Sequence, residues 1–444
     1  MSKLYVEYAA FAPNDESKAR LNMPAGTLVA TSTQNCYCGK SGLRYGPGVE
    51  YLTMLSGGTV SFPHAPVAVK TQVYHFDDEG VLKLGYLAAA KDGKVYHFNE
   101  SVGLKTCAGV GVGDGAVSAC VVPANVAEDG VFLATNKGLW HETPLQGAKK
   151  IAPSSNGSVC VFGDRVFIAY GKGVAFSDAG DFYDFSVSAQ GGGGIHFWEG
   201  KGNILQLLAM DDHLLLLKQN CILQLFAKGA AKDFYARTIG FTDADIVQGS
   251  AVRCGNVAVF ATDDGAIYRV EGVKVQKLGI TLPKGYANAR AAFGGDRGRY
   301  YLSAGTDTFV VCLDDGVVYS IFPMQGLSEC GAQVVGFVGG KLCRLKDGAA
   351  LPDGESCTFT VENWAVKDEK EKVVEKLVLH GQGRAKVQFG QGRYAKSWTI
   401  ELSDRGVALP IFERGKRFDL TLELLQGACV HKLGVEYSHV GDEK

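Results

Sequence analysis

The chain has 444 residues, of which 46% are hydrophobic and 21% are charged, a balance that excludes global disorder and supports a large buried core. Its formal net charge is −2, from 45 basic and 47 acidic residues, so it lacks the basic excess of proteins that grip nucleic-acid phosphates. The 58 Gly, 23 Phe and 18 Tyr, against 5 Met, favour many short strands joined by glycine turns.

Residues 1–50 do not share the pattern of the rest of the chain. Their first 18 residues, "MSKLYVEYAAFAPNDESK", contain no apolar run long enough for a signal peptide. No stretch of about 18 apolar residues occurs anywhere, so we expect no membrane-spanning segment and synthesis in the cytoplasm. The stretch 21–48 is rich in Gly, Ser, Thr and Asn. It predicts that residues 1–50 form an extended arm, which either pairs with a neighbouring subunit or lies as a surface loop.

A repeat of roughly 45 residues dominates the stretch 51–350. The pattern Asp-Gly-x-(Val/Ile)-Tyr occurs at 92–96, 264–268 and 315–319. Asp-Gly predicts a two-residue hairpin turn, because both positions tolerate positive φ. Looser copies fill the gaps, and the marker aromatics are Tyr96, Trp140, Phe176, Phe226, Tyr268 and Tyr319.

An apolar strand precedes most of these markers, such as "VFLAT" before Trp140 and "VAVFAT" before Tyr268. A period in the forties with a hairpin in each unit is typical of four-stranded propeller blades. A single blade cannot cover its own apolar faces, whereas radial packing buries each sheet against its neighbours. We therefore predict an all-β fold with a β-propeller over 51–350. About six blades are favoured, five or seven stay possible, and a stacked array of β-sandwiches is the alternative.

The C-terminal part reads as a separate module. A boundary falls near "GAALPDGES" at 348–356, and a long hairpin is predicted from "KVQFGQGRYAKSWTIEL". The last strands alternate with period two: Phe418, Leu420, Leu422 and Leu424 on one face, then Leu433, Val435 and Tyr437. Residues 356–444 are predicted to form a small β-sandwich.

The usual catalytic signatures are missing, since the chain has no phosphate loop, no Gly-x-Ser-x-Gly elbow and no His-Glu-x-x-His helix. Cys36-x-Cys38 is a weak zinc pattern, and Asp243 and Asp245 match only the first ligand spacing of a calcium loop. The 12 cysteines are scattered through hydrophobic runs, which favours reduced, buried thiols. We predict no catalytic, cofactor-binding or metal residues, and a protein that is not an enzyme.

Three other features have a structural and a functional interpretation. "FSDAGDFYDF" (176–185) resembles the Asp box of sialidase propellers with its register shifted, and such boxes are structural turns. The histidines His75 and His97 lie beside strand aromatics and are expected at the surface. The acidic pairs at 211–212, 263–264 and 314–315 are either solvated hairpin tips or part of an acidic channel lining.

Two longer stretches resemble structural proteins of tailed bacteriophages. Residues 174–226 contain "FSDAGDFYDF", then "GNILQLLAMDDHLLLLKQNCILQLF", and residues 406–437 contain "FERGKRFDLTLELL". The group they resemble is the β-propeller tail nozzle, or tail-tip tubular, proteins of short-tailed phages, over most of 50–444.

The resemblance implies a structural virion protein located in the tail and synthesised in the host cytoplasm. Six copies would form a ring around the DNA conduit, in contact with other tail or neck proteins, while the genome passes through the lumen without sequence-specific binding. Interfaces would lie on propeller loops and the N-terminal arm. Two alternatives remain: a propeller that binds or processes carbohydrate, and a cytosolic scaffold propeller.

Overall fold

The computed structural model describes residues 3–13, 24–52, 117–121, 131–143, 147–154, 156–187, 191–283, 285–286, 289–294, 298–314, 316–330 and 333–440, together with four strands between residues 69 and 109. The regular structure of these residues is β-strand apart from two short 3₁₀ turns, Ala231–Asp233 and Gly392–Tyr394. No helix in this part of the chain is long and apolar enough to cross a membrane.

The strands are numbered in chain order. The first seven are β1 Leu4–Tyr8, β2 Phe11–Ala12, β3 Leu28–Val29, β4 Ser32–Gln34, β5 Cys36–Gly39, β6 Gly42–Tyr45 and β7 Pro47–Tyr51. The next group is β8 Val69–Phe76, β9 Leu82–Ala89, β10 Lys94–Asn99, β11 Lys105–Gly109, β12 Ser118–Val121, β13 Val131–Thr135, β14 Gly138–Thr143, β15 Gly147–Ala152, β16 Val159–Phe162, β17 Arg165–Tyr170, β18 Gly173–Phe176 and β19 Gly193–His196. They are followed by β20 Ile204–Ala209, β21 Leu214–Lys218, β22 Cys221–Phe226, β23 Tyr235–Phe241, β24 Val252–Cys254, β25 Val257–Ala261, β26 Ala266–Glu271, β27 Lys274–Thr281, β28 Arg290–Gly294, β29 Arg299–Ala304, β30 Asp307–Cys312, β31 Val317–Ile321, β32 Gln325–Cys330, β33 Gln333–Val338 and β34 Lys341–Asp347. The last seven are β35 Cys357–Trp364, β36 Lys372–Gln382, β37 Arg384–Gly390, β38 Lys396–Glu401, β39 Val407–Gly415, β40 Phe418–Leu424 and β41 Cys429–His439.

Seven sheets of four strands each occur in the described residues. Six of them use four strands that are consecutive in the chain: β8–β11, β12–β15, β16–β19, β20–β23, β24–β27 and β28–β31. The seventh has the order β32-β33-β34-β7, so its fourth strand comes from the N-terminal part of the chain. The chain divides into two compact units: one is Met1–Glu50, Asp307–Phe322 and Leu345–Lys444, and the other is Tyr51–Thr306 and Pro323–Arg344.

Within the second unit, the first strands of the seven sheets form a closed circuit. Strand β8 packs beside β12, β12 beside β16, β16 beside β20, β20 beside β24, β24 beside β28, and β28 beside β32, which returns to β8. Seven sheets arranged in such a circuit are the blades of a β-propeller. Between adjacent blades the packing is apolar, as shown by Phe167, Leu214 and Leu216, all fully buried in one cluster.

The predicted all-β propeller fold is confirmed. The described residues contain seven blades, so the favoured number of six is wrong and seven, one of the numbers left open, is correct. Tyr319 lies on β31, the fourth strand of its blade, whereas the other marker aromatics lie on third strands. The third strand of that blade is β30, with Phe309. The seventh blade was missed because its third strand, "KLCRLKD", has no aromatic residue and its fourth strand is distant in sequence.

The predicted two-residue turn at Asp-Gly is also wrong at 264–265. The Gly265 N–H donates to the Thr262 carbonyl at 2.8 Å, and the Thr262 N–H donates to the Ala266 carbonyl at 2.9 Å. Gly265 has φ +83°, and Asp264 is not among the residues with positive φ. This is a type I turn followed by a left-handed glycine, the three-residue hairpin that suits a right-handed strand twist. The copy at 92–93 lies outside the described residues.

The first unit contains a β-sandwich, as predicted for the C-terminal module. One sheet has the order β39-β36-β41-β6-β5 with β1 also paired to β41, and the other has the order β38-β37-β40-β35-β4. Leu420, Leu422 and Leu424 on β40 point into one hydrophobic core with residues of the opposite sheet such as Val435. The predicted period-two alternation is confirmed along β40, where buried residues alternate with partly exposed ones. Along β41, Leu433, Val435 and Tyr437 are buried as predicted, but Gly434 and Ser438 are buried too, so the alternation there is incomplete.

Residues 1–50 do not form the separate arm that the sequence predicts. Strand β1 pairs with β41, β4 pairs with β35, and β6 pairs with both β5 and β41. Two glycines of this segment permit close approach of the backbone: a Cβ on Gly46 would lie 2.1 Å from the Asn35 carbonyl oxygen, and a Cβ on Gly48 would lie 2.1 Å from the Ala349 carbonyl oxygen. Four strands of the sandwich, β1, β4, β5 and β6, therefore come from a segment 300 residues or more away in sequence from the rest, which local patterns cannot reveal.

Three buried cations fix connecting loops through backbone carbonyls. Arg165 donates to the Ser177 and Gly191 carbonyls at 2.6 and 3.2 Å. Lys218 donates to the Phe197 carbonyl at 2.9 Å, and Lys372 to the Val366 carbonyl at 3.1 Å. A buried charge is stable only when its donors are satisfied, so each cation depends on the loop that it holds.

We expect Leu422→Ala to lower the free energy of unfolding by about 2–5 kcal/mol, because a fully buried Leu leaves a cavity in the sandwich core. The matched change Thr421→Ala, at the preceding residue on the opposite face of the strand, should cost less than about 1 kcal/mol. Urea denaturation followed by tryptophan fluorescence measures both. Equal losses for the two variants would contradict the assigned faces of β40.

Candidate functional site

A polar groove of about 340 Å³ lies on the outer face of the five-stranded sheet of the sandwich. We call it the polar groove, and its lining residues are Thr360, Glu362, Asn363, Gln388, Gly392, Ala395, Asp419 and Thr421. Its volume lies within the roughly 300–1,000 Å³ typical of small-molecule sites. Its lining is hydroxyl, amide and carboxylate rather than apolar.

Strand register explains why these side chains meet. Thr360 on β35 lies opposite Thr421 on β40, and Thr421 lies opposite Gln388 on β37. The two threonine hydroxyls are 3.3 Å apart and share a hydrogen bond. The outer face of a half-buried sheet repeats every second residue, so one register brings a row of polar groups together.

Asp419 belongs to the wall of the groove and is not a free acid. Its Oδ1 accepts from the Asn363 N–H at 3.0 Å, and its Oδ2 accepts from the Gly392 N–H at 3.2 Å. The groups left to face a ligand are the Thr360 and Thr421 hydroxyls, the Gln388 amide and the Glu362 carboxylate. These groups can donate and accept hydrogen bonds, and they form no nucleophile–base pair.

Two exposed aromatic residues lie on one edge of the sandwich, beside strand β38. Tyr394, in the turn between β37 and β38, is 85% exposed, and Phe412 on β39 is 69% exposed. In the described residues, β38 pairs only with β37, so its other side is unpaired. We call Tyr394, Phe412 and the open side of β38 the aromatic edge.

Local contacts bind the two parts of the aromatic edge together. Lys396 Nζ donates to the Ile411 carbonyl and forms an ion pair with Glu413, both at 2.9 Å. Phe412 has φ +54° and lies in a β-bulge. On β36 one residue separates Val374 from Lys376, whereas on β39 two residues, Ile411 and Phe412, separate their partners Glu413 and Pro410. A non-glycine residue in this region costs on the order of 1 kcal/mol, so the surrounding structure imposes this conformation.

The acidic pairs singled out in the sequence are not gathered in one place. Asp211 forms an ion pair with Arg253, and Asp212 lies 2.6 Å from the His213 ring, whose hydrogen bond holds the pKa of Asp212 below its usual value. Residues 211–212 join the first and second strands of their blade. Residues 263–264 join the second and third, so the two pairs lie at opposite ends of the sheets. Asp314 lies between β30 and β31, and Asp315 lies outside the described residues.

The two possible metal positions make structural contacts. Asp245 accepts a hydrogen bond from the Gln219 amide, and its backbone N–H donates to Asp263 Oδ1 at 3.0 Å. Cys36 and Cys38 are both buried on β5. Among the described residues, no three His, Cys, Asp or Glu side chains lie where they could hold one metal ion.

The stretch 176–185 forms a turn fastened by its own acidic side chains. Asp181 Oδ1 accepts from the Tyr183 N–H at 3.0 Å, and Asp184 Oδ1 accepts from the Ser186 N–H at 2.7 Å. Hydrogen bonds from the side chain and backbone of Ser186 hold the pKa of the Asp184 carboxyl below its usual value. The carboxylates therefore stabilise the loop between β18 and β19. The side chains of His75 and His97 lie outside the described residues.

Sequence reasoning missed both the polar groove and the aromatic edge. The alternation around Thr421 was visible, but the register that aligns it with Thr360 and Gln388 is not encoded locally. Phe412 follows the buried Ile411, and ordinary alternation along β39 already places it on the outer face. What the sequence does not show is its positive φ, or that β39 lies at the same side of the sandwich as β38.

No protein-family profile and no curated protein matches the sequence. Three solved structures are similar in fold at 10–11% sequence identity. The WD40 β-propeller domain of Doa1 has a TM-score of 0.46 and 10% identity, over 67% of this chain and 96% of that one. The extracellular domain of the putative hybrid two-component system BT4673 from B. thetaiotaomicron has a TM-score of 0.43 and 10% identity, over 82% of this chain and 47% of that one. BBS1N in complex with ARL6DN has a TM-score of 0.43 and 11% identity, over 66% and 95%.

We expect Phe412→Gly to raise the stability of the isolated chain by up to about 1 kcal/mol, because glycine adopts positive φ without strain and little buried surface is lost. Phe412→Ala, which keeps the strain, should give no gain. Urea denaturation of dilute protein tests both. A clear loss of stability in Phe412→Gly would show that the bulge is not strained.

Proposed function

We propose that the chain is a structural protein of a bacteriophage tail, which assembles with copies of itself into a ring around the DNA conduit. The segments 174–226 and 406–437 support this role through their resemblance to tail nozzle proteins. The role is structural and needs no catalytic group. By the same resemblance, the ring has six copies, lies in the virion tail and contacts other tail or neck proteins.

The aromatic edge carries the proposal. An open strand edge beside two large exposed aromatic side chains is a liability for a free monomer, because it can recruit other chains. The positive φ of Phe412 lowers the stability of the isolated chain, and a contact between this side chain and another copy offsets that cost on assembly.

The occupant that fits the aromatic edge is a neighbouring copy of this chain. The charges that flank the edge are already paired within the chain, Lys396 with Glu413 and, at 3.8 Å, Arg384 with Glu401. These four side chains therefore add no net charge to the surface that a second copy meets. A ring requires a head-to-tail contact, so the edge must contact a different surface of the next copy.

The overall charge is suited to the wall of a conduit. With 45 basic and 47 acidic residues, the chain has no excess of the Lys and Arg that bind phosphates by releasing counterions. DNA can slide past such a surface without being held.

We expect the purified wild-type protein to form a ring, and the double variant Tyr394→Ser, Phe412→Ser to be a monomer of 47.3 kDa. Loss of two aromatic anchors from a desolvated interface typically weakens association by several kcal/mol. Mass photometry across a concentration series measures the change. The control is Tyr170→Ser, which removes a 46% exposed aromatic from a propeller hairpin and should leave the ring intact. A wild type that stays monomeric at every concentration would contradict the proposal.

A second candidate function, carbohydrate binding, is favoured by one observation. The sequence pointed to a propeller face for this activity, but the polar groove lies on the sandwich. Its hydroxyl, amide and carboxylate groups match the alternating donors and acceptors of a neutral sugar, and the exposed Tyr394 lies between the groove residues Gly392 and Ala395.

If this candidate is right, Thr421→Val should weaken binding of an oligosaccharide at least about tenfold, since it leaves buried sugar hydroxyls unpaired. Thr399→Val, on the same face but outside the groove, should have no effect. A glycan array followed by calorimetry on any positive sugar tests it. Silence on the array, or equal affinity for both variants, would remove this candidate.

A further inference from the structure

Two buried cysteines in the sandwich face each other across its two sheets. Cys36 Sγ and Cys357 Sγ are 3.0 Å apart, about 1 Å longer than a disulfide bond. Cys36 lies on β5 of the six-stranded sheet and is 0% exposed, and Cys357 lies on β35 of the five-stranded sheet and is 1% exposed. The Cys36 thiol also lies 3.1 Å from the Thr358 carbonyl, which accepts its hydrogen bond.

The backbone on either side of this pair is held in place. Asn35 Nδ2 donates to the Ser356 carbonyl at 2.9 Å, so the residues directly before the two cysteines are joined. The same amide donates to Glu355 at 3.0 Å, and Asn35 has φ +53°, where the chain leaves β4 for β5. Only a small side-chain rotation separates the two sulfurs from bonding distance, because both main chains are already fixed.

We propose that Cys36 and Cys357 form a disulfide bond when the chain folds in the presence of a low-molecular-weight disulfide, joining the N-terminal strands of the sandwich to its C-terminal half. The inference does not depend on the role in a phage tail. It concerns these two of the 12 cysteines and differs from the fully reduced state that the sequence suggested.

The chemistry balances with oxidised glutathione as the electron acceptor. One cysteine thiolate attacks the glutathione disulfide, which forms a mixed disulfide and releases one glutathione thiolate. The second cysteine thiolate attacks the protein sulfur of that mixed disulfide, closes the protein disulfide and releases the second glutathione. Two thiol protons leave in all, and they are taken up by the two glutathione thiolates.

Burial determines when this exchange takes place. Desolvation raises the pKa of the Cys36 thiol well above its ordinary value, so the reactive thiolate is scarce in the folded state. A mixed disulfide with glutathione also needs room that the closed core does not give. The bond therefore forms as the sandwich closes during folding, and the native protein protects it from reduction afterwards.

The position of the bond in the chain gives it a large effect. The sequence between the two cysteines contains every strand from β6 to β34, including all seven propeller blades. A cross-link that closes so long a loop restricts the unfolded chain strongly. We expect the oxidised protein to unfold at a temperature about 5 °C or more above that of the reduced protein.

The experiment refolds the full chain in a mixture of reduced and oxidised glutathione, blocks free thiols with N-ethylmaleimide in denaturant, and maps peptides by mass spectrometry without reduction. The expected result is one cross-linked pair that contains Cys36 and Cys357 and lacks two hydrogens. Both cysteines recovered as maleimide adducts would overturn the proposal, as would a bond from Cys357 to Cys38, which lies two residues away on the same strand.

Thermal unfolding of variants supplies the second readout. The rise in unfolding temperature on oxidation should disappear in Cys36→Ser and persist in Cys343→Ser, a control that removes another buried thiol. An equal rise in Cys36→Ser would also overturn the proposal. Should Cys36→Ser fail to fold, the peptide map of the wild type decides alone.

Discussion

The hydrogen bonds that attach β7 to the seventh blade are the constraint on which the architecture depends. The N–H of Leu52, the residue after β7, donates to the Leu342 carbonyl on β34 at 3.0 Å. The Val49 N–H on β7 donates at 2.9 Å to the carbonyl of Ala350, three residues beyond the end of β34. Without β7, strand β34 would be an exposed edge and the last blade would have three strands. Strand β7 precedes the first blade in the sequence, and β34 belongs to the last. Closure of the propeller therefore requires the two ends of the stretch from β7 to β34 to meet. The approach is close enough that only glycine fits at position 48.

The same segment builds the sandwich, which gives the N-terminal residues two structural tasks. Strands β1, β4, β5 and β6 complete the two sandwich sheets, and β7 follows after only one residue, Gly46. Cys36, which contacts Cys357 of β35, also lies in this segment. What the sequence presents as a loose arm therefore pairs with strands more than 300 residues away. To form such pairs, the chain loses conformational entropy before the new contacts stabilise it, so we infer that they form late in folding.

The sequence predicted those features that depend on local periodicity. The propeller class followed from repeated hairpins and marker aromatics, and the alternation from Phe418 to Leu424 placed β40 correctly. The blade number failed where the pattern is not local, since β7 and the aromatic-free β34 carry no repeat signal. The polar groove depends on cross-strand register, and the aromatic edge depends on the strand orders that bring β38 and β39 to the same side of the sandwich. Neither leaves a mark in residue types, because Thr, Gln and Phe are ordinary strand residues.

The interior of the sandwich and its exposed edge have different roles. Inside, apolar side chains of both sheets hold the module together, and outside, Tyr394 and Phe412 are kept exposed by a turn and a bulge that are tied to each other. We propose that this edge joins neighbouring copies, and cryo-electron microscopy of the purified wild-type protein can show whether it does. We expect a closed ring in which Tyr394 and Phe412 of each copy are buried against the next. A ring that leaves both aromatic side chains in solvent, or a field of single particles with no ring, would contradict it.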